Sequence, residues 1–190
     1  SLIFEHPYLR ENPSVEPSTR VAIYKNALKC NIDKKHLYNA LCNTLEAKKS
    51  NISLVRLLLE HGANPNDEEG HCFYLAGRHR KDKYFEELSK HADLDVVLPT
   101  LLRRFDEDAQ VAHLFYMCMD EQKAAIKDLS DQLMFQCIRK FQKTTITLSV
   151  LLDFGMSPGA TTVYRIHKNW PEEEITLLIW TIISPLKIDN

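Results

Sequence analysis

The chain has 190 residues, 44% of them hydrophobic and 26% charged, and carries a net charge of −2 at pH 7. That apolar fraction can bury a core, which excludes wholesale disorder, and a near-neutral balance with a pI near 6.4 gives no global attraction to DNA, RNA or an anionic membrane. Five glycines are few for a turn-rich β protein, while Leu, Lys, Glu, Asp and Ala are the residues helical chains prefer, so the chain reads as all-α. Its length admits one ordinary domain or an array of about five to six short units.

Cysteine usage adds a compartment. Cys30, Cys42, Cys72, Cys118 and Cys137 form an odd, widely spaced set without C-x-x-C, as expected of reduced and mostly buried thiols in an intracellular (cytoplasmic or nuclear) protein. No apolar run of membrane-spanning length and no signal peptide is present, so no membrane association is expected. A chain opening on Ser1 is expected to be a piece of a longer one. Asn51-Ile52-Ser53 matches a glycosylation acceptor formally, but its place at a helix start argues against use.

In chain order, residues 1–18 hold three prolines and no apolar period, and read as an extended lead-in. Ser18 or Thr19 is positioned to cap a helix over Arg20 to Lys29, a half-repeat or cap with Val21, Tyr24 and Leu28 on one face. Asp33 is the N-cap expected for a helix from Lys34 to Ala47, whose Leu37, Leu41 and Leu45 share a face. After the short connection Lys48-Lys49-Ser50-Asn51, Leu54, Val55, Leu57, Leu58 and Leu59 make a broad apolar stripe. Gly62 falls where that helix must stop with positive φ, and Pro65 forbids resumption, so Asn64 to Gly70 reads as a turn.

The run LVRLLLEHGANPN, Leu54 to Asn66, resembles the second helix and exit loop of an ankyrin repeat, "V-x-x-L-L-L-x-x-G-A-D-x-N". Gly70 to Asp95 can be laid on the next repeat, with Cys72-Phe73-Tyr74-Leu75-Ala76-Gly77 where the family has "T-P-L-H-x-A-A" and Tyr84 to Leu88 as its second helix. This repeat departs from the pattern in lacking Thr-Pro and a terminating Gly after His91-Ala92-Asp93. Val96–Phe105 and Gln110–Met117 read as a further pair about the turn Asp106-Glu107-Asp108, with Pro99 placing a helix start near Leu98. Asp131 is expected to cap Gln132 to Phe141, followed by Ile146 to Phe154 and a second signature at Leu151, Leu152, Gly155 and Pro158. Gly155 follows Gly62 by 93 residues, three units of 31.

Pro171 and three glutamates then open an apolar first helix, Ile175 to Ser184, with no partner after it. The resemblance thus implies an ankyrin-like helix-pair solenoid of about five repeats over residues 19–190, cut inside its last repeat. The divergent middle units equally admit another α-solenoid, of HEAT type. The partnerless last helix offers a route to self-association.

No metal or catalytic signature is present: the eight histidines form no H-E-x-x-H or zinc spacing, and no P-loop, G-x-S-x-G or G-x-G-x-x-G occurs. The acidic clusters at 67–69, 106–108 and 172–174 lie in turns or helix starts, where solvated carboxylates are ordinary. No catalysis and no cofactor are therefore expected. Two binding surfaces compete. Basic groups follow each first helix, at Lys48-Lys49, Arg78 with Arg80-Lys81, Arg103-Arg104 and Arg139-Lys140, and stacked repeats would align them as a ridge for an acidic peptide; cations at helix C-termini are also favourable on purely structural grounds. The ankyrin resemblance instead implies the loop from Asn64 to Gly70 and outward residues of the next helix, His71 and Tyr74, with Tyr74 equally able to be buried. The functional expectation is a scaffold or recognition module for a protein or peptide, with a regulatory or targeting domain of a larger multidomain enzyme as the alternative; nucleic acid fits poorly beside the acidic turns.

Overall fold

The computed structural model describes residues 16–29, 32–47, 51–122, 131–141 and 146–156, together with 172, 173, 175 and 176. Among them the chain forms nine α-helices and no strand: α1 (Pro17–Ala27), α2 (Lys34–Glu46), α3 (Ile52–Glu60), α4 (Asp67–Arg78), α5 (Asp82–Ser89), α6 (Leu94–Arg104), α7 (Asp108–Gln122), α8 (Asp131–Lys140) and α9 (Ile146–Asp153). Residues 172, 173, 175 and 176 are helical as well. Two compact units, Ser1–Thr100 and Leu101–Asn190, divide within α6.

In the first unit the Asp33 carboxylate accepts from the Lys35 amide at 3.2 Å, starting α2, and the Asn51 side chain accepts from the Leu54 amide at 3.1 Å, starting α3. Helix α3 stops as its sequence directs. Gly62 adopts φ +95°, its amide donates to Leu59 O and the Ala63 amide to Leu58 O, both at 3.0 Å, a Schellman closure. Helix α2 packs on α3 and α4, while α3 also packs on α1 and α5, and α4 on α5. First helices of successive pairs are therefore neighbours, and so are second helices. The fully buried Leu41, Leu45, Leu58, Phe73, Phe85 and Leu88 form the core, with the Phe73 and Phe85 rings edge to face at 5.7 Å. Each such burial contributes about 1.5–3 kcal/mol.

In the second unit α9 packs on both α7 and α8. Phe115, Met119, Met134 and Leu151 are fully buried there. Gly155, φ +84°, repeats the Gly62 closure, with its amide on Leu152 O at 2.9 Å and that of Met156 on Leu151 O at 3.1 Å.

Two helix starts differ from the sequence expectation. Helix α1 begins at Pro17, not after Ser18 or Thr19, because proline is preorganised for a first helical position; Glu16 precedes it without a side-chain cap. Helix α6 begins at Leu94, a turn before the expected start near Leu98, because the Asp93 carboxylate accepts the Asp95 amide at 3.2 Å and closes the N-terminus there. Pro99 thus sits inside the helix, where it leaves the Asp95 carbonyl without its usual donor. The lead-in through residue 15, Cys30, Lys48-Lys49, Pro158 and the last helix beyond Thr176, with the self-association expected of it, lie outside the described residues.

Candidate functional site: the outer row and exit of α4

The loop before α4 is organised by asparagines. Asn64 Oδ1 accepts the Asn66 amide at 3.1 Å, and its Nδ2 donates to Asp67 Oδ1 at 2.6 Å. Asn66 then reaches the next exit loop: its Nδ2 donates to His91 O and its Oδ1 accepts the Asp93 amide, both at 2.8 Å. Glu68, Glu69 and Gly70 follow with φ of +50°, +58° and +72°, a single left-handed turn. Gly70 is buried, with Val97 3.5 Å from where a Cβ would stand; the two glutamates are exposed. For an L-residue this region costs about 1–2 kcal/mol, so the turn holds its shape against local preference.

From His71 the backbone is right-handed, and the helix separates two faces. Cys72, Phe73, Leu75, Ala76 and Gly77 are buried. His71, Tyr74 and Arg78, at i, i+3 and i+7, share the other face, the first two partly exposed and Arg78 exposed. The His71 and Tyr74 ring centroids are 5.7 Å apart, and the Arg78 guanidinium carbon lies 6.0 Å from the centre of the Tyr74 ring. Tyr74 is thus flanked along the helix by an imidazole and by a cation at cation–π distance.

At the exit of α4 the closure of Gly62 recurs with an arginine in glycine's place. Arg80 has φ +49°; its amide donates to Gly77 O at 3.1 Å and the Lys81 amide to Ala76 O at 3.0 Å. Arg80 itself is exposed. Lys81 turns inward: its Nζ donates to Leu45 O at 2.6 Å and Ala47 O at 2.8 Å, and lies 5.5 Å from the Tyr84 ring centre. Burial holds its ammonium below the usual lysine pKa. Lys81 therefore completes the C-terminus of α2.

The second unit repeats that device. Lys140 Nζ donates to Leu102 O at 2.6 Å and pairs with Asp106 Oδ1 at 3.1 Å. This bond brings the ends of α6 and α8 together, so Arg103, Arg104 and Arg139, all exposed, lie at one end of the unit. Of the sequence candidates, Lys81 and Lys140 are thus engaged by helix carbonyls, while Arg78 and Arg80 share one exit in the first unit and Arg103, Arg104 and Arg139 one end of the second.

The acidic turn at 106–108 needs correcting: Asp106 and Glu107 are exposed, but Asp108 is buried. Its carboxylate accepts the Ile146 and Thr147 amides, each at 3.0 Å, and the Thr147 hydroxyl, closing the N-terminus of α9 from 38 and 39 residues away. No local signal announces that partner. His61, at the end of α3, donates from Nδ1 to Leu57 O at 2.8 Å. Among the described residues no group of three or more His, Cys, Asp or Glu could hold a metal ion, and no helix is long and apolar enough to cross a membrane. No protein-family model, no curated protein and no solved structure matches the chain.

Proposed function

We propose that the chain is a protein-recognition module, an ankyrin-like helix-pair solenoid that binds an acidic peptide or partner protein and carries no chemistry of its own. One observation carries this reading: His71, Tyr74 and Arg78 form an ordered outer row on α4 that ends in Arg80, a cation kept where glycine would relieve strain. Tyr and Arg are over-represented among residues that dominate binding energy, and side chains already held beside one another lose less rotamer freedom when a partner arrives. Two exposed guanidinium groups favour a carboxylate-bearing partner.

The repeat character rests on ties between equivalent positions of successive pairs. Arg56 of α3 pairs with Glu87 of α5, 31 residues on, at 2.8 Å, and Cys42 of α2 touches Cys72 of α4, 30 residues on. Lys81 and Lys140 each reach back to the carbonyls that end an earlier helix, over 34 to 38 residues. Arg103, Arg104 and Arg139 offer a second basic face for the same class of partner.

The test is affinity capture with the wild-type chain, followed by titration of the purified captured protein against wild type, Tyr74→Ala/Arg78→Glu and Arg103→Glu/Arg104→Glu. Loss of tenfold or more in the α4 variant, about 1.4 kcal/mol, is expected. Unchanged affinity there with a loss in the second variant moves the surface to the basic end of the second unit. Unchanged affinity in both contradicts recognition through either face.

A further inference from the structure

We propose that Cys42 and Cys72 are a peroxide-responsive dithiol, in which Cys42 is oxidised first and Cys72 resolves it into a disulfide joining α2 to α4. The proposal stands independently of the recognition reading. The two Sγ atoms are 3.4 Å apart across the packed helices. A disulfide bond is about 2.05 Å long, so they must close by about 1.4 Å.

Accessibility assigns the roles. Cys42 is partly exposed, whereas Cys72 is fully buried, so a small oxidant in solvent meets Cys42 first. The surrounding groups agree. Hydrogen bonding from Cys72 lowers the Cys42 pKa below its usual value, opposed by burial; the Tyr38 hydroxyl, one helical turn away, adds to the lowering, while Glu68 and Glu46 oppose it. The Cys72 thiol is pushed well up by its hydrogen bond to Cys42 and by burial, with the Cys42 and Asp67 charges acting the same way and Tyr38 against. With Cys72 as the donor of the pair, the thiolate forms at Cys42, the sulfur that solvent reaches, as nucleophilic attack requires. Cys118 and Cys137 are buried, and burial followed by the Asp108 charge pushes Cys137 up to about 12, so these thiols do not compete.

Each step balances. The Cys42 thiolate attacks the terminal oxygen of hydrogen peroxide or an organic hydroperoxide; the S–O bond forms, the O–O bond breaks, and the departing hydroxide or alkoxide takes up the proton that Cys42 gave to solvent on ionising. Sulfur has lost two electrons and the peroxide has gained them, leaving a sulfenic acid. The Cys72 sulfur then attacks the Cys42 sulfur; the S–S bond forms, the S–O bond breaks, and hydroxide leaves as water with the Cys72 proton. Two thiols and one hydroperoxide become one disulfide, one alcohol or water, and one further water. Thiol exchange restores the dithiol.

Peptide mapping of the wild-type chain after hydrogen peroxide treatment tests this without any substitution. A peptide linking Cys42 to Cys72, with the loss of two hydrogens reversed by dithiothreitol, is expected. Cys72→Ala should trap Cys42 as a sulfenic acid that a dimedone probe labels, and Cys42→Ser should leave Cys72 unmodified. A map in which Cys42 and Cys72 remain separate thiols, or in which the linkage uses a different cysteine, overturns the proposal. So does dimedone labelling at Cys72 in the Cys42→Ser variant.

Discussion

The exits of α3 and α4 close with the same pair of backbone hydrogen bonds and differ in what surrounds them. At the first, Gly62 takes the left-handed position with no atom within 4 Å of where its Cβ would be, and the neighbouring His61 bonds back to its own helix. At the second, Arg80 holds that position under strain, and Lys81 leaves the loop to satisfy carbonyls at the end of α2. One exit is complete within a few residues of chain. The other closes its own helix just as locally, but it also sends Lys81 to finish the end of α2 and keeps an exposed guanidinium that its backbone does not favour. Local closure makes a stop, while long-range closure joins one helix pair to the next.

The sharpest way to break this distinction is to remove the side chains that close distant helix ends. Asp108→Ala deprives two backbone amides and a hydroxyl at the start of α9 of their acceptor, and should cost about 2–3 kcal/mol in chemical denaturation. Lys81→Met keeps most of the stem but abandons Leu45 O and Ala47 O, with an expected loss of about 1–2 kcal/mol by the same measurement. Gly62→Ala and Gly155→Ala test the local closures. Space is open at both, so the cost should be backbone strain alone, about 1 kcal/mol and nearly equal at the two sites in thermal or denaturant unfolding.

The smallest effect belongs to the exposed tie between α3 and α5. Burial acts to raise the Glu87 pKa, but the hydrogen bonds and charges of Arg56 and Lys90 outweigh it and hold the carboxyl below its usual 4.5. A folded pKa below the unfolded one gives stability that is present above the unfolded value and lost as pH falls through the folded value. Arg56→Met should therefore cost about 0.5 kcal/mol at neutral pH, and the deficit should shrink as pH is lowered below about 4.5. A pH-independent deficit would assign the contact to packing.

These effects also mark what could be read in advance. The Gly62 and Gly155 stops, the Asp33 cap and the Leu37, Leu41 and Leu45 stripe depend on residues a few positions apart, and sequence spacing reports them. The start of α6 was equally local, but the rule that proline belongs in a first turn outweighed Asp93, the cap that actually sets the start. Asp108 and Lys140 have partners 38 or 39 residues away, and a carboxylate in an acidic turn looks the same whether solvated or buried. For Tyr74, helical periodicity left both faces open. Only the packing of α4 on α2 and α5 leaves it beside His71 and Arg78 on the outer row.

The central claim is that the exit of α4 accepts strain to present a cation to a partner. Arg80→Gly separates the two consequences. Relief of the left-handed arginine should raise stability by about 0.5–1 kcal/mol. Titration of the captured protein against this variant should, in contrast, show affinity lowered severalfold. Higher stability with weaker binding supports the claim; higher stability with unchanged binding would reduce Arg80 to an unrelieved strain and contradict it.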